Sequence, residues 1–267
     1  MKDKLCSRKN LSEEYLKLFK QYRKNIQNVS DSSLPDYRLE MSFESLRDWA
    51  VVNTLDELKN WYSEVVSKKL MSVERVPINS LKDWYINENT GDIQHASGDF
   101  FEIHGIRVKS NIREVGQGWD QPILRQIDDD GGILGLLRKR FNGIPHYLCE
   151  AKVEPGNYNI VQISPTLQAT FANLNRSHHG RAPSLTNFFW GNVETSGGTI
   201  LFKQWLSEDG GRFFNKRNLG MMVEVPETFH VNLPSENYRW FSLFQIKSLI
   251  NSSCIINPHV RSIISHG

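Results

Sequence analysis

Lys152 and Glu154 stand two residues apart in the run Ala151-Lys-Val-Glu-Pro-Gly-Asn157. On an extended strand that spacing puts an ammonium and a carboxylate on one face. Side by side, each shifts the proton affinity of the other, which suits proton transfer to or from a bound molecule. The plainer reading of the same pair is an exposed ion pair of little consequence. His146 and Glu150 share the face, while Tyr147, Cys149, Ala151 and Val153 point the other way, as on a half-buried strand. A turn at Pro155-Gly156-Asn157 follows, and then Ser164-Pro165 sets a capping hydroxyl before a proline, a pattern that predicts the start of a helix. The free amides of such a start suit a phosphate. On that helix Thr166, Thr170 and Asn173 share one side, opposite Leu167, Phe171 and Leu174, and Gln168 is long enough to reach a ligand's hydroxyls.

Further charged and aromatic residues stand outside this run. Lys216 and Arg217 are neighbours on a strand-like run, so only one of them faces any given ligand; Arg offers a planar fork to phosphate oxygens and Lys a point charge. Arg181, after His178-His179-Gly180, is another cation of the same kind. All three serve equally well as solvated surface charges. Trp119 and Tyr158 carry rings that stack on a base, although a lone aromatic more often fills a core. His179 is of the residue type that gives or takes a proton near neutral pH. Adjacent His178 and His179 point apart, and the eight histidines include no HxH or HxxxH pair, so the pattern predicts no metal site.

Elements that position these residues follow from the periodicity. The 267 residues suit one large domain or two small ones. Thirty-two Lys and Arg against thirty Asp and Glu leave a net charge of +2, which gives no reason to expect a nucleic-acid partner. Three scattered cysteines, no bilayer-length apolar run and no signal core behind Met1 predict a soluble protein of the reducing cytoplasm. Residues 1–72 read as helical: an amphipathic stripe runs from Leu11 to Val29, and Thr54 with Glu57 forms a capping box ahead of Leu55, Leu58, Tyr62 and Val65. From residue 73 the pattern turns to strands. Leu81 to Ile86, Asp92 to His95 and Asp99 to Lys109 are extended, the last with a possible bulge at Gly105. Asn142-Gly143 joins Gly132–Phe141 to Ile144–Val153 as a type I′ hairpin. Leu201–Leu206 and Arg212–Arg217 read as a second hairpin with Met221–Val225 as a third strand, and Asn237–Ile250 as a late helix. Strands with helices between and after them predict an α+β fold around a mixed or antiparallel sheet.

Taken in order, Trp119-Asp-Gln-Pro-Ile123, Gly132-Ile-Leu-Gly-Leu-Leu137, Ala151-Lys-Val-Glu-Pro-Gly-Asn157 and Gln162-Ile-Ser-Pro-Thr-Leu-Gln-Ala-Thr170 resemble the signature of nucleotide-sugar 2,3-dehydratases. Val76-Pro-Ile, Trp84, Thr90-Gly91, Ser97-Gly-Asp-Phe-Phe101 and Lys216-Arg-Asn218 extend the resemblance over roughly residues 73 to 250. The resemblance implies a Nudix-like mixed β-sheet flanked by helices, behind an N-terminal helical extension. It implies elimination of the C2 hydroxyl of an NDP-4-keto-6-deoxyhexose, usually a dTDP sugar, with no cofactor. It also implies site roles for Lys152, Glu154, Trp119 and Gln121, while Gln162, Gln168 and Asn218, within the matching runs, are substrate-binding candidates; Glu150 stands where the family usually has an amide. Familiar members carry two tandem copies of this unit, and one copy here implies a homodimer. A Nudix hydrolase would carry metal-binding glutamates where this chain has Thr, Gln and Asn, and Arg113-Glu-Val-Gly116 lacks the rest of that motif. Two rival readings are a metal-dependent nucleotide-sugar hydrolase and a binding subunit without turnover.

Overall fold

The computed structural model describes residues 2–29, 34–98, 101–110, 116, 118–127, 131–174, 183–191, 193 and 197–266. Three helices lead: α1 (Lys2–Val29), α2 (Asp36–Glu44) and α3 (Leu55–Ser67). The stripe read from the sequence is the buried side of α1, where Tyr15, Leu18, Phe19 and Tyr22 pack with Phe43, Trp49 and Ile144. Thr54 and Glu57 form the expected capping box at the start of α3. A four-stranded sheet of β1 (Trp84–Ile86), β2 (Ile93–His95), β3 (Phe101–Val108) and β4 (Trp119–Gln126) follows in simple antiparallel order. The register of β3 on β4 runs unbroken through Gly105 opposite Pro122, so the bulge expected there is absent.

The main sheet is built on the hairpin of β5 (Gly132–Phe141) and β6 (Ile144–Val153). Asn142 at φ 52° and Gly143 at φ 77° occupy the left-handed region that a two-residue I′ turn demands. From that turn the strands pair as far as Leu137 opposite Leu148 and then part. Into the fork enter β7 (Val161–Ser164), paired with β6, and β8 (Leu167–Thr170), paired with β5. Gly132 admits β8, because a Cβ there would lie 2.4 Å from the Ala169 carbonyl oxygen. At the crotch, Thr166 bridges both arms: its hydroxyl accepts from the Leu137 amide at 2.8 Å and donates to the Leu148 carbonyl at 2.5 Å. After the short α4 (Phe171–Leu174), β9 (Thr199–Ser207) and β10 (Arg217–Val225) extend the sheet beyond β5, with β10 parallel to β5. β11 (Tyr238–Phe241) covers the far side of β6, and α5 (Leu243–Ile250) and α6 (Pro258–Ile264) close the chain. The result is the expected α+β arrangement of mixed sheet and flanking helices.

Several local expectations give way to pairing. No helix follows Pro165; Leu167 and Ala169 alternate into the core while Gln168 and Thr170 face away, and the stretch pairs with β5 as a strand. Ser164 caps nothing, its hydroxyl being buried without a hydrogen bond. The phosphate site expected at that helix start therefore falls away. Arg212 to Lys216 is loop, because Arg212 and Phe214 exchange backbone hydrogen bonds with Leu124 of β4, so the expected second strand is absent but for Arg217, and the expected third lies within β10. Tyr238–Phe241 is strand, and the helix begins only at Leu243 behind a Ser242–Gln245 capping box. The first half of β6 is buried on both faces, so its charged face begins only at Glu150.

Core lies on both faces of the large sheet. Tyr147, Cys149 and Ala151 pack with Leu58, Trp61, Ile246 and Val260 of α3, α5 and α6, while Leu137, Leu148, Leu167 and Met221 pack with Phe188, Phe189 and Trp240. A buried charge network ties α2 to the strands. Arg138 meets Glu40 at 2.6 Å, Glu44 at 2.8 Å and also Glu224; Arg140 meets Glu40 at 2.7 Å; Tyr147 donates to Glu44 at 2.9 Å. Two guanidiniums face three carboxylates. Burial, with Glu40 beside it, accordingly pushes Glu44 up to about 7, while Arg140 and Arg138 overcome the cost of burial and hold Glu40 down at about 2.

Candidate active site

The open end of the fork is the floor of a cavity of about 510 Å³, within the range of about 300–1,000 Å³ usual for small-molecule sites. Leu134 of β5, Lys152 and Glu154 of the β6 arm, and Gln168, Ala169 and Thr170 of β8 line it, with Asn173 above. The period-two spacing does what it should: the Lys152 ammonium stands 3.8 Å from the Glu154 carboxylate, both side chains less than a third exposed. Gln168 links the two, since its side-chain amide donates to Glu154 at 3.1 Å and its backbone carbonyl accepts from Lys152 at 3.1 Å. The Gln168 side-chain oxygen is buried and makes no hydrogen bond in the protein. Asn157, in the turn, donates weakly to Glu154 at 3.5 Å. These residues are therefore a fixed polar group in a pocket wall and not a loose surface pair.

A second wall comes from distant segments. Lys216 and Asn218 enter from the start of β10, Glu208 from the end of β9, His259 from α6, and Phe101, Leu124, Arg125, Gln126 and Phe213 from the small sheet and its loop contact. Asn218, almost fully buried, donates to Glu208 at 2.5 Å. His259 Nδ1 lies 3.8 Å from the same carboxylate oxygen. Burial holds His259 below its ordinary value, with Lys152 and Lys216 adding to the effect and Glu208 and Glu154 opposing it. Burial likewise lowers Lys216, which donates to Gln126.

Of the residues singled out from the sequence, Lys152, Glu154, Gln168, Asn173, Lys216 and Asn218 converge on this cavity. Lys216 and Arg217 separate as alternate neighbours should: Arg217 lies over the Trp205 ring, 4.3 Å from its centroid, and is not part of the lining. Trp119 and Gln121 sit at the other end of β4, where the indole donates to Gln121 at 2.6 Å and Gln121 to the Gly211 carbonyl at 2.9 Å. Tyr158 is 83% exposed in the turn after β6. Thr166 is fully buried with its hydroxyl committed to the fork, and Gln162 binds the Cys254 carbonyl and Asn257 behind the wall. His179 and Arg181 lie outside the described residues. Glu208 and His259 were not singled out from the sequence. Asn257-Pro258 is the one local signal for His259, a helix start whose side-chain cap accepts from the His259 amide at 2.9 Å.

Among the described residues, one cluster brings metal-ligating atoms together: Asp92, Glu102 and His104, within 4.8 Å of one another. It lies on the small sheet, apart from the cavity lining. His104 Nε2 is 3.2 Å from Glu102, whose carboxylate also accepts from Gln94 at 2.5 Å and stands 4.0 Å from Arg125. No helix among the described residues is long and apolar enough to cross a membrane.

The chain is similar to proteins already described. Three curated relatives named dTDP-4-dehydro-6-deoxy-α-D-glucopyranose 2,3-dehydratase align with it: 35% identity over 209 residues in Saccharopolyspora spinosa (78% of this chain, 41% of that protein), 33% over 235 in Amycolatopsis orientalis (86% and 48%), and 35% over 205 in Streptomyces violaceoruber (77% and 44%). The chain thus spans less than half the length of these relatives. Two solved structures also align at 12% identity, an Ap4A hydrolase of C. elegans (TM-score 0.32; 51% of this chain, 94% of that one) and a Nudix hydrolase of M. smegmatis (TM-score 0.29; 60% and 91%). The model of the NDP-hexose 2,3-dehydratases matches residues 55–266. That match takes in both walls of the cavity, from Lys152 to His259, and the chain belongs to the NDP-hexose 2,3-dehydratase family.

Proposed function

We propose that this cavity binds an NDP-4-keto-6-deoxyhexose, a dTDP sugar foremost, and eliminates its C2 hydroxyl to leave a 2-deoxy-3,4-diketo sugar. The observation that carries the reading is the Lys152–Glu154–Gln168 group fixed in the wall of the cavity in a chain of this family. A ketone at C4 acidifies the C3 proton, and C2 is β to that carbonyl, so loss of the C3 proton and then of the C2 hydroxyl needs neither hydride transfer nor an external cofactor. What it needs is a base, a donor for the enolate oxygen and a proton for the departing hydroxide. Lys152 supplies the cation for the enolate oxygen. Glu154 holds Lys152 and Gln168 in place and offers negative charge to a proton in transit. Gln168 and Asn173 hold sugar hydroxyls; Lys216 and Asn218 face the diphosphate. A second copy of the chain pairs with this one as a homodimer, and the reaction takes place in the cytoplasm, where the nucleotide-sugar substrate is found.

The test is incubation of the purified chain with dTDP-4-keto-6-deoxyglucose and a 3-ketoreductase that traps the diketone. The expected result is a product that has lost one water; no consumption of this or the matching GDP, UDP or CDP sugars overturns the reading. The rival reading is a subunit that binds the nucleotide sugar without turning it over. Calorimetric binding with no product selects that rival. A monomer by light scattering at assay concentration contradicts the second copy.

A further inference from the structure

We propose that His259, seated by Glu208, is the proton carrier of the elimination: its imidazole takes the C3 proton and returns it to the departing C2 hydroxyl. The proposal rests on the dehydratase reading and names the base that the elimination needs. His259 lines the same cavity as Lys152 and Glu154, close enough for both charges to act on its ring. Its position is built, not incidental. Asn257, nearly fully buried, caps α6 by accepting from the His259 amide at 2.9 Å and is itself pinned to β7, its amide donating to the Ile163 carbonyl at 2.9 Å and its side chain to Gln162 at 3.3 Å. Behind the helix Val260, Ile263 and Ile264 are core. Glu208 is equally fixed, its amide donating to the Lys216 carbonyl at 2.9 Å and its carboxylate accepting from Asn218.

Chemistry and charge agree with this placement. An imidazole held neutral by burial is ready to accept a proton at neutral pH. Once protonated, it faces two carboxylates, Glu208 and Glu154, against the two ammoniums Lys152 and Lys216. The steps balance. The C3–H bond breaks and its proton goes to imidazole, the electron pair passing to the C4 oxygen as an enolate beside Lys152. The enolate then collapses, the C2–O bond breaks, and the imidazolium gives its proton to the hydroxide, which leaves as water. The resulting enol takes up its C2 proton to become the 3,4-diketone. In a sugar of gluco configuration the C3 proton and the C2 hydroxyl lie on one face of the ring, so a single imidazole reaches both.

The experiment compares wild type, His259→Gln and Glu208→Gln with C3-deuterated dTDP-4-keto-6-deoxyglucose, following loss of deuterium to solvent and formation of trapped product. His259→Gln should lose both signals together by about 100-fold or more, with an unchanged urea midpoint and little change in KM, because the α6 cap uses the His259 backbone. Glu208 is a positioning residue: its loss should lower kcat and move the acidic limb of the kcat/KM profile to lower pH, as the imidazolium loses a carboxylate. Three results overturn the proposal: His259→Gln turning over within threefold of wild type, C3 exchange surviving in it while elimination is lost, or an acidic limb unmoved by Glu208→Gln. An inactive wild type overturns the dehydratase reading itself, and so is told apart from these.

Discussion

Thr166→Val tests whether the fork in the main sheet is built as described. Thr166 is fully buried, and its hydroxyl joins the Leu137 amide at 2.8 Å to the Leu148 carbonyl at 2.5 Å, at the last rung before the two strands part. Valine keeps the shape and removes both bonds. The Leu137 amide and the Leu148 carbonyl are then left in a dry interior, at about 1–3 kcal/mol for each unsatisfied group. Allowing for partial relaxation, the expected loss is about 2–4 kcal/mol in urea denaturation, a fall in Tm of about 5–10 °C for a chain of this size. Thr166→Ser keeps both hydrogen bonds and gives up one methyl, so it should cost only about 1 kcal/mol. KM for the nucleotide sugar should stay within about twofold in the folded fraction, because the hydroxyl faces the fork and not the cavity. Wild-type stability together with a tenfold rise in KM would put the hydroxyl in the ligand's path and refute the staple.

Four further outcomes follow from named contacts. His146 is fully buried and neutral, accepting from the Val51 amide at 3.1 Å and bonded to the Ile144 carbonyl at 3.0 Å, and burial holds it down at about 4. The unfolded chain therefore takes up a proton below about pH 6.5 that the folded one refuses, and stability falls as pH drops from there toward 4. Glu44, pushed up to about 7, acts in the opposite sense over much of the same range, so the measurement is the difference between wild type and His146→Gln. That difference should shift against wild type by about 2–3 kcal/mol between pH 7 and 4.5, and a flat difference contradicts a buried neutral ring. Arg138→Met leaves Glu44 buried without a cation and Glu40 and Glu224 with Arg140 alone, and should cost about 3–5 kcal/mol, more at pH 8 than at pH 5; urea midpoints within error of wild type would show that the network clamps nothing. Lys152→Ala and Glu154→Gln should each lower kcat by about 100-fold at unchanged fold, and retained turnover in both removes them from the chemistry. Gln162→Leu releases Asn257 from behind α6 and should lower kcat severalfold while KM stays put; a change in KM alone would make Gln162 a ligand contact.

What the residues disclose unaided is whatever a short-range rule fixes. Asn142-Gly143 announces its turn because few other pairs take two successive left-handed conformations. Thr54 and Glu57 announce a helix because both halves of a capping box lie in one turn. Lys152 and Glu154 meet because a strand repeats every two residues. Ser164-Pro165 carries an equally local helix signal, yet it loses. Leu167 and Ala169 alternate with Gln168 and Thr170, and a strand that fills the fork beside Gly132 satisfies more backbone groups and buries more apolar surface than an isolated helix start would. The same override makes a strand of Tyr238–Phe241, where β6 needed a partner along its outer edge.

The second wall of the cavity is illegible for a different reason. Glu208 looks like the approach to a surface turn, and His259 like an ordinary residue early in a helix; neither has a chemical neighbour within a few residues. They meet because Arg212 and Phe214 pair with Leu124, which carries the β9–β10 connection away from a plain hairpin, and because Asn257 fastens α6 to β7. Gln162 shows how motif and structure divide the work. It belongs to the stretch that carries the family resemblance, yet its side chain points to Cys254 and Asn257 and reaches the cavity only through the helix that holds His259. A residue at one remove from substrate can thus sit in a signature for positional reasons. The division also orders the experiments: changes at Lys152, Glu154 and His259 should act on the chemical step directly, whereas changes at Gln162 and Glu208 should act through His259. Combining Gln162→Leu with His259→Gln should therefore cost little more than His259→Gln alone, the non-additivity expected of residues that work through one group.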